Sequence, residues 1–383
     1  MTSQLRIPCT LMRGGTSKAI FLNESLVPKE PGMRKKFLLS LFGSPDKRQI
    51  DGLGGADDLT SKCAMVGPPS RPDADIDYTF AQIGVDKPTV SYEIACGNIS
   101  SAAGVYAVEE GFVEPQEPVT LVRLHNTNTG KILRIKVQVE KGVPKVEGDF
   151  AIDGVPGFGA EVALDYSSTS GGATGKLLPT GKVRDAVYVP LLKREIEVSV
   201  VDVGTISVFF KAADIGLVGT EQVAQLNPDH FAIAEEVRNA VAVMCKLPEG
   251  SAITPFQIMV GPPAAYQTFA EGRPVKASEI EFVARSIDGR GAMHKTFPGG
   301  GSVSASVAAQ IPGTVVYECS SAQGNTEVVR IGHPSGVLST SSNVSRVDGT
   351  WRVQEVLFSR TARRLMDGFA YLRKEASETL LEY

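Results

Sequence analysis

The hydrophobic positions along this chain come in short blocks. Apolar runs rich in β-branched residues alternate with glycine and proline, and 39 glycines and 23 prolines provide the breaks. Blocks of this kind predict strands, here over 5–11, 19–22, 89–94, 119–124, 131–139, 195–203, 206–210, 314–318, 326–331 and 350–358. Two segments carry a helical period instead. Residues 33–42 place Met33, Phe37, Leu38 and Leu41 on one face and stop at Gly43. Residues 228 to about 246 follow Asn227 as cap and Pro228 at the first helical position, with Phe231, Val237, Val241 and Met244 facing inward. Both stripes read as packing surfaces. The pattern is α+β with strands dominant, and it suggests barrels or rolled sheets.

A weak internal repeat organises these elements. Gly15-Thr16-Ser17 before Ala19-Ile20-Phe21 is echoed by Gly204-Thr205-Ile206 before Val208-Phe209-Phe210. Downstream, Cys96-Gly97-Asn98-Ile99-Ser100-Ser101-Ala102-Ala103 is echoed by Gly299-Gly300-Gly301-Ser302-Val303-Ser304-Ala305-Ser306. The second pair reads as two helix starts whose small residues let a helix pass through the middle of a curved sheet. A duplicated chain folds as two similar lobes related by a pseudo-two-fold axis, and its two helix N-termini can face one cleft. Each N-terminus offers free N–H groups and a dipole worth about 0.3–2 kcal/mol to an anion. A substrate with two or more carboxylates fits such a pair of sockets.

Composition narrows the partner. At 383 residues there is chain enough for more than one core, and a formal net charge of -4 argues against nucleic acid or an anionic membrane as partner. Residues 296–317 are uncharged but broken by glycine and proline, so they are not a membrane span. The start of the chain has no signal-peptide pattern, which makes cytoplasmic residence the expectation. Cys9, Cys63, Cys96, Cys245 and Cys319 form no CxxC pair, and His125, His230, His294 and His333 are dispersed, so neither a disulfide framework nor a metal site is expected.

Several segments could carry chemistry. Cys96 opens a helix, where a thiolate is favoured, although a cysteine is also a small buried hydrophobe. The glycine-rich run Asp51–Ser61 ends in Lys62, a candidate general base or else a solvated loop lysine. Arg13-Gly14-Gly15-Thr16-Ser17-Lys18 offers hydroxyls and N–H groups to a carboxylate, or is simply a turn. Residues 170–177 imitate a P-loop but lack its first glycine and the hydroxyl residue after lysine, so they read as a turn-rich connection. No dinucleotide fingerprint follows a strand. His294, just before the second helix start, is a candidate substrate contact, while His333 reads as a turn residue.

Arg13–Lys18, Gly55-Ala56-Asp57-Asp58-Leu59-Thr60-Ser61-Lys62, Cys96-Gly97-Asn98-Ile99-Ser100 and Gly332-His333-Pro334-Ser335-Gly336, in that order, resemble one enzyme family. It is the family of 2-methylaconitate cis-trans isomerase, 3-methylitaconate Δ-isomerase and 4-oxalomesaconate tautomerase, which looks like a branch of the diaminopimelate epimerase fold. The resemblance implies two pseudo-symmetric lobes, 1–185 and 186–383, each a β-barrel-like sheet wrapped around a central helix, with the active site between them and no cofactor or metal. It places the acid–base pair on Lys62 and Cys96. It also implies a proton shift across an allylic unit, or cis-trans isomerisation, of a small unsaturated polycarboxylate. Gly15, Thr16, Ser17, Gly97, Asn98, Thr205, His294, Gly300, Gly301 and Ser302 are then the expected substrate contacts. The epimerase relatives start the second-lobe helix with a cysteine where this chain has Gly299, which disfavours an amino-acid epimerase. A non-catalytic dicarboxylate binder remains an alternative, and a homo-oligomer is compatible with the sequence.

Overall fold

A computed structural model of the chain describes residues 4–92, 96–249, 254–270, 272–287, 292–324 and 326–373. Its contacts group residues 4–164 with 360–373 into one unit and 165–359 into a second. The division expected at 185/186 therefore falls at 164/165, with a return at 359/360. Residues 165–185 are bonded into the second unit: Gly171 N donates to Asp202 O at 2.7 Å and Asp202 N to Leu177 O at 2.9 Å.

In the first unit, β1 (Gln4–Gly14) and β2 (Ser17–Asn23) form an antiparallel hairpin. β3 (Lys62–Gly67) runs parallel to β2, and β4 (Ile76–Ile83) antiparallel to β3. β5 (Val119–Asn126) runs parallel to β4, and β6 (Lys131–Glu140) antiparallel to β5. Helix α1 (Pro31–Phe42) lies between β2 and β3 in the chain, and α2 (Gly97–Glu109) between β4 and β5.

The second unit repeats this succession from its hairpin onward, with one further strand ahead of it. β7 (Asp185–Val189) leads into the hairpin of β8 (Arg194–Val203) and β9 (Thr205–Lys211). β10 (Phe256–Gly261) is parallel to β9, and β11 (Phe282–Ile287) antiparallel to β10. Helices α3 (Pro228–Met244) and α4 (Gly299–Gln310) take the places of α1 and α2, and a short α5 (Val315–Cys319) follows. β12 (Val328–His333) is parallel to β11, and β13 (Gly336–Val347) antiparallel to β12. In the last strand, β14 (Thr350–Arg373), residues 350–358 pair with β13 and residues 362–373 with β1 of the first unit.

Burial explains why these residues take these forms. α2 buries every residue from Ile99 to Val108, and α4 every residue from Gly301 to Ala309, which requires the small side chains both helices carry. Among the strands, β3, β4, β10 and β11 are buried at nearly every position and so are covered on both faces. β9 sends Ile206, Val208 and Phe210 toward α3 and Phe209 toward α4. Doubly covered strands lose the polar alternation that marks a half-exposed one. This accounts for β3, β4, β10 and β11, short apolar runs with no predicted element. α1 ends at Gly43 in the left-handed region (φ 72°), as expected, but Met33 is only partly buried while Phe42 joins the core. In α3, Asn227 accepts from His230 N at 3.1 Å; Val237 and Val241 are buried, and Phe231 and Met244 are partly buried against them.

Residues 314–318, expected as a strand, are helix α5 instead. The Thr314 hydroxyl caps it, accepting from Tyr317 N at 3.1 Å and donating to Ala308 O at 2.6 Å, and this local cap outweighs the β propensity of Val315 and Val316. Of the 89–94 run, Val90–Ser91 pairs with β4, and residues 93–94 lie outside the described residues. The P-loop imitation is a nest for an internal anion. Asp202 Oδ2 accepts from Ala173 N (2.9 Å), Thr174 N (2.7 Å) and the Thr174 hydroxyl (2.8 Å). No helix among the described residues is long and apolar enough to cross a membrane.

Candidate active site

The β1–β2 turn sits directly on the first turn of α2. A Cβ on Gly14 would stand 2.1 Å from the Asn98 carbonyl oxygen, and one on Gly15 (φ +49°) 2.1 Å from Asn98 Oδ1. Only glycine permits this approach. The Asn98 amide nitrogen donates to Thr16 Oγ1 (3.0 Å) and Ser17 Oγ (3.4 Å), and its oxygen accepts from Arg360 Nε at 2.9 Å. Arg13 closes the turn, donating to Gly15 O at 3.0 Å and Thr361 O at 2.9 Å. Cys96 is the half-buried N-cap of α2, and its carbonyl accepts from Ser100 N (2.8 Å) and Oγ (3.0 Å). The amides of Gly97, Asn98 and Ile99 have no acceptor among the described residues and are available to an anion. The expected contacts Gly15, Thr16, Ser17, Gly97 and Asn98 are thus brought together, although the Asn98 side chain is spent on orienting the two hydroxyl residues.

Lys62 opens β3 and is 6% exposed. Its Nζ donates to Gln82 Oε1 at 2.5 Å and lies 5.4 Å from the centroid of the Phe80 ring. No carboxylate among the described residues pairs with it. Burying an ammonium without a counter-charge is costly, and such groups concentrate where chemistry is done. Asn128 holds the backbone of Phe80 from both sides, accepting from its N and donating to its O at 2.8 Å each.

The glycine-rich run before Lys62 is built around Gln49, which is 1% exposed. Its amide oxygen accepts from Ala56 N (2.8 Å) and Ser61 Oγ (2.7 Å), its nitrogen donates to Ser44 Oγ (2.9 Å), and Gly54 packs against it where a Cβ would lie 2.1 Å away. Lys18 N donates to Leu59 O at 3.0 Å, tying the same run to β2. Gln49→Ala leaves the buried Ser61 hydroxyl without its acceptor and is expected to destabilise the protein by about 1–3 kcal/mol and to expose residues 51–61 to protease. Unchanged thermal unfolding together with an unchanged cleavage pattern would refute this role.

The second unit keeps the architecture but has no counterpart of Lys62 or Cys96. Gly204 (φ +68°) approaches α4 where its Cβ would stand 3.0 Å from Gly300 O, and a Cβ on Gly300 would lie 2.6 Å from Thr205 Oγ1. The amides of Gly299, Gly300 and Gly301 have no acceptor among the described residues. Cys63 pairs with Ile20 and Ile258 with Phe209, each five residues beyond its turn glycine, so Gln257 stands where Lys62 stands. Gln257 donates to Glu235 at 3.1 Å. Pro298 is the N-cap of α4 and Gly299 its first residue, so no thiol matches Cys96. Burial pushes the thiols of Cys9 and Cys63 up, and those of Cys245 and Cys319 up to about 11 each, as befits packing residues.

His294 is exposed, and its Nδ1 accepts from Thr296 N at 3.1 Å. Ser302 does not fit the role expected of it. It is fully buried, and its hydroxyl donates to Gly299 O at 2.8 Å within the helix. His333 ends β12 beside the turn, buried, with Nδ1 accepting from Ser335 N at 3.2 Å. No cluster of three His, Cys, Asp or Glu side chains suited to a metal occurs among the described residues. Gln49, Gln82 and Arg360 were missed. Gln82 had one faint signal, a lone amide in an apolar run, whereas Gln49 sits among charged and turn residues and Arg360 lies 262 residues from Asn98, and neither had any.

The profile described as PrpF protein matches residues 4–373. The 3-methylitaconate isomerase of Eubacterium barkeri is 44% identical, over 98% of this chain and 99% of that one. The 2-methyl-aconitate isomerase of Shewanella oneidensis is 34% identical over 97% and 98%, and the (4E)-oxalomesaconate Delta-isomerase of a Novosphingobium species 36% over 95% and 97%. A crystal structure of methylitaconate-delta-isomerase superposes with a TM-score of 0.87 at 43% identity, covering 98% of this chain and 97% of that one. A probable proline racemase from Agrobacterium radiobacter shares the fold alone, with a TM-score of 0.53 at 13% identity over 95% of this chain and 92% of that one.

Proposed function

The chain belongs to the PrpF protein family, and from that premise we propose that this isomerase of small carboxylates moves a proton across the C=C unit of an unsaturated di- or tricarboxylate of the methylitaconate, methylaconitate or oxalomesaconate type. The observation that carries the reading is Lys62, a buried amine with a neutral partner, in the same unit as the unused amides of Gly97 and Asn98. Lys62 removes a proton from the carbon next to the double bond, and the electrons delocalise over the allyl unit onto a carboxylate. The negative charge that develops there is met by amides at a helix N-terminus, donors already in place when it appears. Thr16 and Ser17, oriented by Asn98, hold the same carboxylate. A proton returned at the far allylic carbon completes the shift, with Cys96 as the second acid–base group. The C–H bond broken at one carbon is matched by the C–H bond formed at the other, with no net change in oxidation state, so the reaction needs no redox cofactor. In the second unit, the Gly300 and Gly301 amides with Thr205 and His294 form a carboxylate socket of like design.

Proton NMR in D2O tests this with cis- and trans-aconitate, methylitaconate, dimethylmaleate and 4-oxalomesaconate. Deuterium entry with double-bond migration is expected for one or more of them, and Cys96→Ala is expected to slow it no more than Lys62→Ala does. Saturable binding without exchange on any of them would point to a carboxylate-binding protein instead.

A further inference from the structure

We propose that Gln82 is a positioning residue for Lys62: its amide oxygen aims the amine and, being uncharged, leaves it out of an ion pair. This rests on the reading of Lys62 as the base. Gln82 faces Lys62 directly across the β3–β4 ladder, and the two side chains meet at 2.5 Å. The amide cannot turn over. Its nitrogen donates to Asp58 O and Ser61 O, at 3.1 Å each, so a flip would set its oxygen against two carbonyls and face an NH2 toward the ammonium. Both anchors belong to the run of chain that enters β3, so a single side chain fixes the approach of the loop and the direction of Nζ. Phe80, two residues earlier on the same face of β4, closes the apolar side of the corner. A glutamate here would satisfy the amine equally well by geometry. It would also hold the amine as a paired cation, unfit to accept a proton. An amide orients the base without that penalty.

Two variants separate aim from charge. Gln82→Met keeps the volume and removes the acceptor, and is expected to lower kcat about tenfold with KM within roughly twofold. Gln82→Glu keeps an acceptor and adds charge, and is expected to move the acid limb of the kcat profile up by roughly one pH unit. Lys18, Asp57 and Asp58, on the segments tied to this corner, are common to both variants. Lys62→Ala is assayed beside them. If Lys62→Ala is fully active, the reading of Lys62 as base fails. If it is inactive while both Gln82 variants keep the wild-type kcat and pH profile, or change KM alone, the inference about Gln82 fails by itself. Should Gln82→Glu not fold, the division between kcat and KM in Gln82→Met decides.

Discussion

Replacing Lys62 by alanine or methionine should lower kcat by about a thousandfold or more, as expected for loss of the general base, and should leave the fold intact. The stability half of this expectation is the more discriminating. Lys62 is buried with an amide and an aromatic ring for company and no carboxylate partner among the described residues, so its removal breaks no ion pair among them. Lys62→Met fills much of the same space with an apolar side chain, and its melting temperature should stay close to that of the wild type. A structural lysine behaves in the opposite way, since removing it costs stability and impairs activity only through loss of folded protein. Calorimetry and deuterium-exchange NMR on the same preparation measure both quantities. An active Lys62→Met protein, or an inactive one that is also markedly unstable, would count against the role assigned to Lys62.

Gly14→Ala should have the next largest effect, although Gly14 takes no part in the chemistry. Its added Cβ would stand 2.1 Å from the Asn98 carbonyl oxygen and 3.0 Å from Ala102 Cβ, and the backbone on both sides would have to give way by about an ångström. α2 is enclosed along its length and has nowhere to move. We expect a loss of about 3 kcal/mol or more, judged against the usual cost of overpacking. We also expect about a hundredfold loss of kcat/KM, because the Asn98–Thr16–Ser17 contacts move with the turn. Gly204→Ala, in the equivalent turn of the second unit, meets Gly300 O at 3.0 Å and suffers mainly from its positive φ, at a cost of about 1–2 kcal/mol. Denaturant unfolding of the two variants side by side gives the ranking. A Gly14→Ala protein as stable as the wild type would show that α2 is not held in the way described.

Much of this was legible in the sequence because it depends on local chemistry. The turn glycines, the caps of α1 and α3 and the two small-residue helices each declare themselves within a few residues, and the duplication follows from their order. β3, β4, β10 and β11 did not, because a strand covered on both faces resembles a buried helix when only six to eight residues are seen. The partners of the site residues were less legible still. Gln82 is 20 positions from Lys62 and Arg360 is 262 from Asn98, and pairings made by tertiary folding leave no periodic trace. Ser302 was misjudged because a small polar residue near a helix start can bond inward to its own helix as readily as outward to a ligand.

The course of β14 bears on how the protein is made. Residues 165–359 are one unbroken stretch, able to collapse as soon as they leave the ribosome, whereas β1, synthesised before that stretch, has its second partner after it, at 362–373. Until translation has passed both, the ladder face of β1 that β14 will occupy is an open template of the kind that recruits other nascent chains. The unit that carries Lys62 and Cys96 is thus begun before the other and closed after it, and it is incomplete until residues 362–373 have emerged.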